Sequence, residues 1–272
     1  MREMAHYRTC GDRFLILEFG DEVDLSLNFK AILMKEVIKK EKIKGISDII
    51  VGTSALLIGY DPFEIRMDDL VDRLKELEKK GIDFSEEIPS RLITIPILFN
   101  DQWTRECSKA HHLPPDLESI AEYNGLSIEK FVNVYTSTDY WVKYVGFSPG
   151  LVAFNALDPH KELRSPQLKS PRTWTPPGAV GIHRSGNCIY AGNTPGGVKM
   201  VGRTPLLIFD IDQKNSAFRD SPALFRPGDR IKMIPLSGEK EYQQIEKNVD
   251  SYPYEIEEGT YSGNSMREAT RV

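Results

Sequence analysis

The first ninety residues alternate between two hydrophobic periods. Phe14-Leu15-Ile16-Leu17-Glu18-Phe19 is a short apolar run closed by Gly20-Asp21, which predicts a strand and a turn. From Asn28 to Lys42, Ile32, Leu33, Val37 and Ile38 recur at helical spacing with lysines between them, predicting an amphipathic helix. Ile46–Val51 and Ala55–Tyr60 read as two strands joined by Gly52-Thr53-Ser54, and Asp68–Lys80 as a second amphipathic helix. Strand, helix, strand, strand, helix predicts an α+β unit of split βαβ type over 1–89, with Glu86–Ser90 as a linker.

The texture changes after that linker. Leu92–Phe99 is a strand with Pro96 inside it, which predicts an edge or bulged position. Asp116–Tyr123 and Ser127–Tyr135 read as short helices, the second with Ser127 as its N-cap. From Tyr140 to Pro235 the helical period disappears. Short β runs (Tyr140–Phe147, Ala179–Ile182, Cys188–Ala191, Val198–Val201, Leu206–Phe209, Arg230–Pro235) alternate with glycine- and proline-rich loops, predicting a compact β-barrel over 90–240. Tyr242–Val249 reads as a helix, and the nearly apolar-free stretch Gly263–Val272 as a fraying tail.

Composition narrows the class. The chain has 272 residues, 28% of them charged, and a net charge of −5, so no overall basic field draws it to nucleic acid. No run approaches the roughly 18 apolar residues of a membrane span. The opening MREMAHYRTCGDRF lacks the apolar core of a secretory signal. Cys10, Cys107 and Cys188 are odd in number and widely spaced, which predicts free thiols in a reducing cytoplasm rather than disulfides or a metal site.

Familiar catalytic motifs are absent: there is no GxSxG, Walker loop, HExxH or GxGxxG. His111 and His112 are adjacent and point to different faces of any regular element, a poor arrangement for a metal. The chemistry concentrates in the loops. Ser148-Pro149-Gly150, Pro195-Gly196-Gly197 and the Arg203-Thr204 corner combine glycine's close approach with proline's stiffness, and all are candidate substrate-binding residues. Arg172 and Arg203 flank such loops, and their planar forks suit a carboxylate, carbamate or phosphate. His183 lies in a predicted barrel strand and is the candidate proton carrier, with Arg172 beside it as the second catalytic candidate. The same spacing also fits plain barrel corners whose arginines cap carbonyls. Phe225–Ile231 reads as such a corner, with a structural role only.

The loops GFSPG, SPRTWTPPGAVGI, IYAGNTPGGVKMVGRTPL and FRPGDRIKMIP, in that order, resemble the family of allophanate hydrolase subunit 1. That family includes the B component of the prokaryotic 5-oxoprolinase, a sporulation kinase inhibitor and part of the carboxyltransferase domain of urea carboxylase. The resemblance spans roughly residues 7–240, with departures at Leu151, Gln167, His183-Arg184 and Val198. It implies a cyclophilin-like barrel and a homologous second subunit of the allophanate hydrolase subunit 2 type. It also implies a subunit of an amide-acting enzyme, by ATP-dependent amide hydrolysis or biotin-dependent carboxyl transfer, with a biotin carboxylase or a lactam-utilisation protein as a further partner. ATP or biotin would act in the complex and neither is bound by this chain alone. The alternative the family offers is a regulatory protein that inhibits a histidine kinase.

Overall fold

The computed structural model describes residues 4–22, 24–80 and 85–269. The chain divides into two compact units, one running to Ser90 and resumed from Gly259, the other spanning Arg91–Glu258. No helix among the described residues is long and apolar enough to cross a membrane.

In the first unit, strands β1 (His6–Cys10) and β2 (Phe14–Glu18) form a hairpin, followed by α1 (Leu25–Glu41), β3 (Ile46–Val51), β4 (Ala55–Tyr60), α2 (Met67–Lys79) and β5 (Glu87–Pro89). The sheet order is β1-β2-β4-β3, so β4 lies antiparallel between β2 and β3. That is the split βαβ arrangement, extended by the edge strand β1, which periodicity does not reveal. Asp24 caps α1 by accepting from the Ser26 N–H at 2.7 Å. The start of α1 is buried on every side, unlike the two-faced helix predicted from its lysines. Lys30 is buried with a partner: its Nζ lies 3.7 Å from Glu78, which also accepts from the Ala5 N–H and the Tyr7 hydroxyl. Burial nonetheless pushes the Lys30 amine below its ordinary value.

The second unit opens with β6 (Leu92–Phe99), α3 (Gln102–Ala110), α4 (Asp116–Tyr123), α5 (Ile128–Thr136), β7 (Asp139–Val145) and β8 (Val152–Ala156). It continues with β9 (Arg172–Thr175), β10 (Ala179–His183), β11 (Gly186–Ile189), β12 (Thr194–Gly196), β13 (Lys199–Arg203), β14 (Arg230–Pro235), α6 (Glu239–Lys247) and β15 (Ile256–Glu257). Seven strands in the order β13-β10-β11-β8-β7-β14-β6 close into a barrel where β13 pairs with β6. It is of the cyclophilin-like type. Ile93, Ile95 and Ile97 of β6, Tyr140 and Val142 of β7, Phe154 of β8, Val180 and Ile182 of β10 and Val201 of β13 fill its core. Leu117, Ile120, Phe131 and Tyr135 of α4 and α5 join the same core.

Four details correct the sequence reading. Pro96 is not on an edge: β14 pairs along one side of β6, while β15 and β13 take only the two ends of the other side. Thr94 N–H points to that second side, and by alternation so does the Pro96 nitrogen, in the gap where no donor is required. Leu206–Phe209 is no strand, having only an isolated bridge from Phe209 to Ala223, and β8 is a strand that the sequence reading does not contain. The barrel unit runs past 240 because Ile256–Glu257 pairs with β6.

Returning to the first unit, β16 (Thr260–Ser262) pairs with β5, and α7 (Gly263–Ala269) packs on α1. The expected fraying tail is therefore ordered through Ala269. Its one large apolar residue, Met266, is fully buried and anchors it. The remainder of the expected tail, 270–272, lies outside the described residues. Met266→Ala should lower the unfolding free energy by about 2–5 kcal/mol in urea. A change within about 0.5 kcal/mol would show that the segment contributes no packing.

Candidate functional site

Arg172 opens β9, which pairs with β12 as a two-stranded ribbon. The side chain points inward and is 1% exposed. Its Nη1 donates to the Val198 carbonyl at 2.8 Å, and its Nη2 donates to Asp116 Oδ2 at 2.6 Å and to Ser108 Oγ at 3.5 Å. Asp116 Oδ2 also accepts from the Met200 N–H at 2.8 Å. One ion pair thus ties the ribbon to the start of α4 and to β13. Both terminal nitrogens of Arg172 are engaged within the protein and its Nε is buried without a hydrogen-bond partner, so an anion would have to enter the interior to meet this guanidinium. Burial raises the Asp116 carboxyl above its ordinary value, and the positive charge of Arg172 works against that shift.

The glycine loops also serve packing. Gly150 has φ +76°, and a side chain there would collide with Phe209. The turn is closed by the Leu151 N–H donating to the Ser148 carbonyl at 3.1 Å, while Pro149 is exposed. Gly196 backs onto the Tyr190 hydroxyl, and the Gly197 carbonyl accepts from the Leu168 N–H at 2.9 Å. Pro195, between the ribbon pairs Thr194–Thr175 and Gly196–Arg172, faces outward. Thr204 is 2% exposed and accepts from the Leu206 N–H at 3.2 Å.

Arg203 behaves differently. At the end of β13 it pairs with Ala179, and its Nε donates to the Pro177 carbonyl at 2.9 Å. Its guanidinium lies 5.8 Å from the Trp103 ring and 5.3 Å from the Tyr242 ring. The nearest carboxylate in an ion pair is Glu246, at 3.8 Å and half exposed. Arg203, Glu246 and Asn193 are the polar lining of a cavity of about 470 Å³ whose walls are Trp103, Trp174, Pro176 and Pro177. Trp103 is 50% and Trp174 39% exposed, which is unusual for residues of this size. His111 steadies Trp174, with ring centroids 5.5 Å apart and its Nε2 3.2 Å from Thr173 Oγ1.

His183 sits elsewhere. β10 begins at Ala179 beside Arg203 and ends at His183, which pairs with Gly186 in a hairpin. Arg203, on β13 opposite Ala179, and His183 therefore lie at opposite ends of β10. The His183 Nδ1 is 3.0 Å from Ser185 Oγ. Burial and the nearby Lys143 charge lower the imidazole below its ordinary value, so it is neutral at pH 7. Among the described residues no three His, Cys, Asp or Glu side chains gather to hold a metal ion. Cys10 is exposed and Cys107 and Cys188 are buried, all free, with burial pushing the Cys107 thiol up to about 11.

Fold and pocket define a class: a cyclophilin-like barrel, preceded in the chain by a split βαβ unit, with a small aromatic cavity on the barrel's outer side. The chain belongs to the carboxyltransferase domain family, subdomain C and D, whose model matches residues 5–219. It is 31% identical over 266 residues to urea amidolyase of Saccharomyces cerevisiae, covering 92% of this chain and 14% of that protein. It is 29% identical to the B component of 5-oxoprolinase from Bacillus subtilis, covering 85% of this chain and 92% of that protein. The solved urea carboxylase of Kluyveromyces lactis superposes with a TM-score of 0.84 at 25% identity, over 96% of this chain and 24% of that one. The chain spans about a seventh of the yeast urea amidolyases it matches.

Sequence reasoning finds Arg203 but not Trp103, Trp174 or Glu246. The signal for α3 is present all the same, because Asp101 is a good N-cap, accepting from the Thr104 N–H at 3.1 Å. Two outcomes test this geometry. Asp116→Ala leaves the buried Arg172 charge unpaired and should cost about 3–5 kcal/mol of stability; a melting temperature equal to the wild type's would remove the ion pair from the account. An NMR titration of His183 should give a midpoint below 6.5, moving upward in Lys143→Met. A midpoint at or above 6.5 in the wild type would contradict the burial argument.

Proposed function

We propose that this chain is one subunit, or one domain, of a heteromeric amide-acting enzyme, and that it presents the Arg203 cavity where a homologous second subunit completes the site. The observation that carries the reading is the state of Arg203. It is held by the Pro177 carbonyl and two aromatic rings, yet its ion-pair partner is a half-exposed glutamate that a ligand can replace. Family membership and the extent of the 5-oxoprolinase relatives support the same conclusion.

The chemistry follows from charge. Hydrolysis of an amide and carboxylation of an amide nitrogen both build negative charge on a carbonyl-derived oxygen. A guanidinium already aimed and partly dehydrated stabilises such charge without reorganising. The Trp103, Trp174 and proline walls exclude water around a flat group. The cavity lining holds no nucleophile with an adjacent base, so those groups belong to the second subunit, of the allophanate hydrolase subunit 2 type. One guanidinium is too little to hold a triphosphate, so ATP is assigned to other subunits. Carboxybiotin, in the alternative reaction, would arrive from a biotin carboxylase partner and supply the activated carboxyl group.

Reconstitution with the second subunit tests the proposal. The isolated chain should show negligible ATP-dependent hydrolysis of 5-oxoproline and negligible biotin-dependent carboxylation of urea; the mixture should perform one of them. Arg203→Lys keeps the charge but loses the planar fork and should reduce turnover about ten- to a hundredfold at an unchanged melting temperature. Robust turnover by the chain alone, or an Arg203→Lys complex within about twofold of wild type, would contradict it.

A further inference from the structure

A second cavity, of about 440 Å³, opens in the first unit, and the amide-acting reading does not use it. It lies between the last turns of α1, the turn that follows and the first half of β3. β3 ends the sheet order β1-β2-β4-β3, so no strand among the described residues pairs along its far side. Ile49 pairs with the buried Ile58 and so faces inward, yet it is left only partly covered. Ile43 and Ile46 are partly covered too, and the buried Ile38 of α1 completes an apolar floor.

The rim is cationic. Lys35, Lys39 and Lys42 follow one another at intervals of four and three residues, which places them on one side of α1 and its C-cap, and all three line the cavity. Lys39 has Glu36 3.4 Å away on its own helix, but among the described residues neither Lys35 nor Lys42 has a carboxylate at ion-pair distance. Asp48 is the one acidic side chain in the described lining, and its Oδ1 already accepts from the Ile49 N–H at 2.7 Å. The lining therefore carries a net positive charge in a chain whose net charge is −5. Lys35 is half-buried, and burial together with the Lys39 charge pushes its amine below its ordinary value, while Glu36 and Asp48 act in the opposite sense. A partly dehydrated cation without an ion-pair partner gains strongly from an incoming anion.

Charge and floor together say what kind of ligand fits. We infer that this cavity is a binding site for a small organic anion with an apolar body, its carboxylate held by Lys35, Lys39 and Lys42 and its hydrocarbon laid on Ile43, Ile46 and Ile49. Lysine suits the task, because an ammonium is a point charge on a flexible stem and can follow a carboxylate without the fixed fork of an arginine. The cavity has the size of an ordinary small-molecule pocket, about 300–1,000 Å³. No aromatic ring lines it for a nucleotide base to stack on, and the isoleucine floor calls for hydrocarbon. The site belongs to the unit that does not carry Arg203, and it stands independently of the amide-acting reading.

Octanoate is the probe, added to the intact chain and followed by the NMR methyl signals of Ile43, Ile46 and Ile49. Saturable shifts are expected at these methyls, with a dissociation constant on the order of a millimolar or below. Shortening the acid towards butanoate should weaken binding about two- to fourfold for each methylene removed, as suits carbons on an apolar floor. Octan-1-ol should bind about tenfold more weakly than octanoate, and octylammonium should leave these methyls unshifted. Lys35→Met removes the charge, keeps the stem and should weaken octanoate about tenfold at an unchanged melting temperature. Bound octanoate should also raise the titration midpoint of Lys35 in the wild type. Octan-1-ol binding as tightly as octanoate, or an unchanged affinity in Lys35→Met, would show that the lysine stems only cover the isoleucines and would overturn the inference. Shifts that do not saturate, or that miss these three methyls, would overturn it as well. Neither result touches the reconstitution assay with the second subunit, so the two proposals fail separately.

Discussion

The outer face of the barrel depends on the buried pair between Arg172 and Asp116. Without it the β9–β12 ribbon would have no polar anchor to α4, and the Met200 N–H would lose its acceptor. The ribbon carries Trp174, and the turn that follows supplies Pro176 and Pro177, whose carbonyl orients Arg203. A charge pair invisible from outside therefore sets the geometry of the one arginine that is visible from the cavity. Buried pairs of this kind add little net stability over an apolar replacement, but they penalise every misplacement of the elements they join.

The two arginines show how environment divides one residue type between roles. Arg172 is buried and donates to a carboxylate, a hydroxyl and a carbonyl inside the protein, with its Nε left unpartnered. Arg203 uses one donor on a carbonyl, lies close to two aromatic rings and makes its ion pair with a half-exposed glutamate. Sequence places both beside glycine-proline loops and has no means of separating them. Asp116, the residue that decides the matter, stands 56 positions away from Arg172.

Much of the architecture is legible in advance. The bounds of β3 and β4 follow from the apolar-rich runs on either side of Gly52-Thr53-Ser54, and the split βαβ order follows from one long helix between two strands. What fails does so for tertiary reasons. β8 is hidden because Val152–Ala156 mixes small and polar residues whose inward members are recognisable only against β7 and β11. The tail from Gly263 looks unable to pack because one methionine supplies nearly all its apolar contact. The cavity is legible in part: Arg203 by its loop, but not Trp103, which comes from a helix, or Glu246, which comes from another.

The central claim is that the second subunit closes over the Arg203 cavity. Hydrogen exchange of this chain, measured with and without the homologous partner subunit, tests it directly. Protection is expected at the amides of Trp174, Asn193 and Arg203 and along the exposed side of α3 and α6, with the His183 hairpin unchanged. Protection confined to other surfaces, with the amides around Trp174 and Asn193 exchanging as in the free chain, would contradict the account.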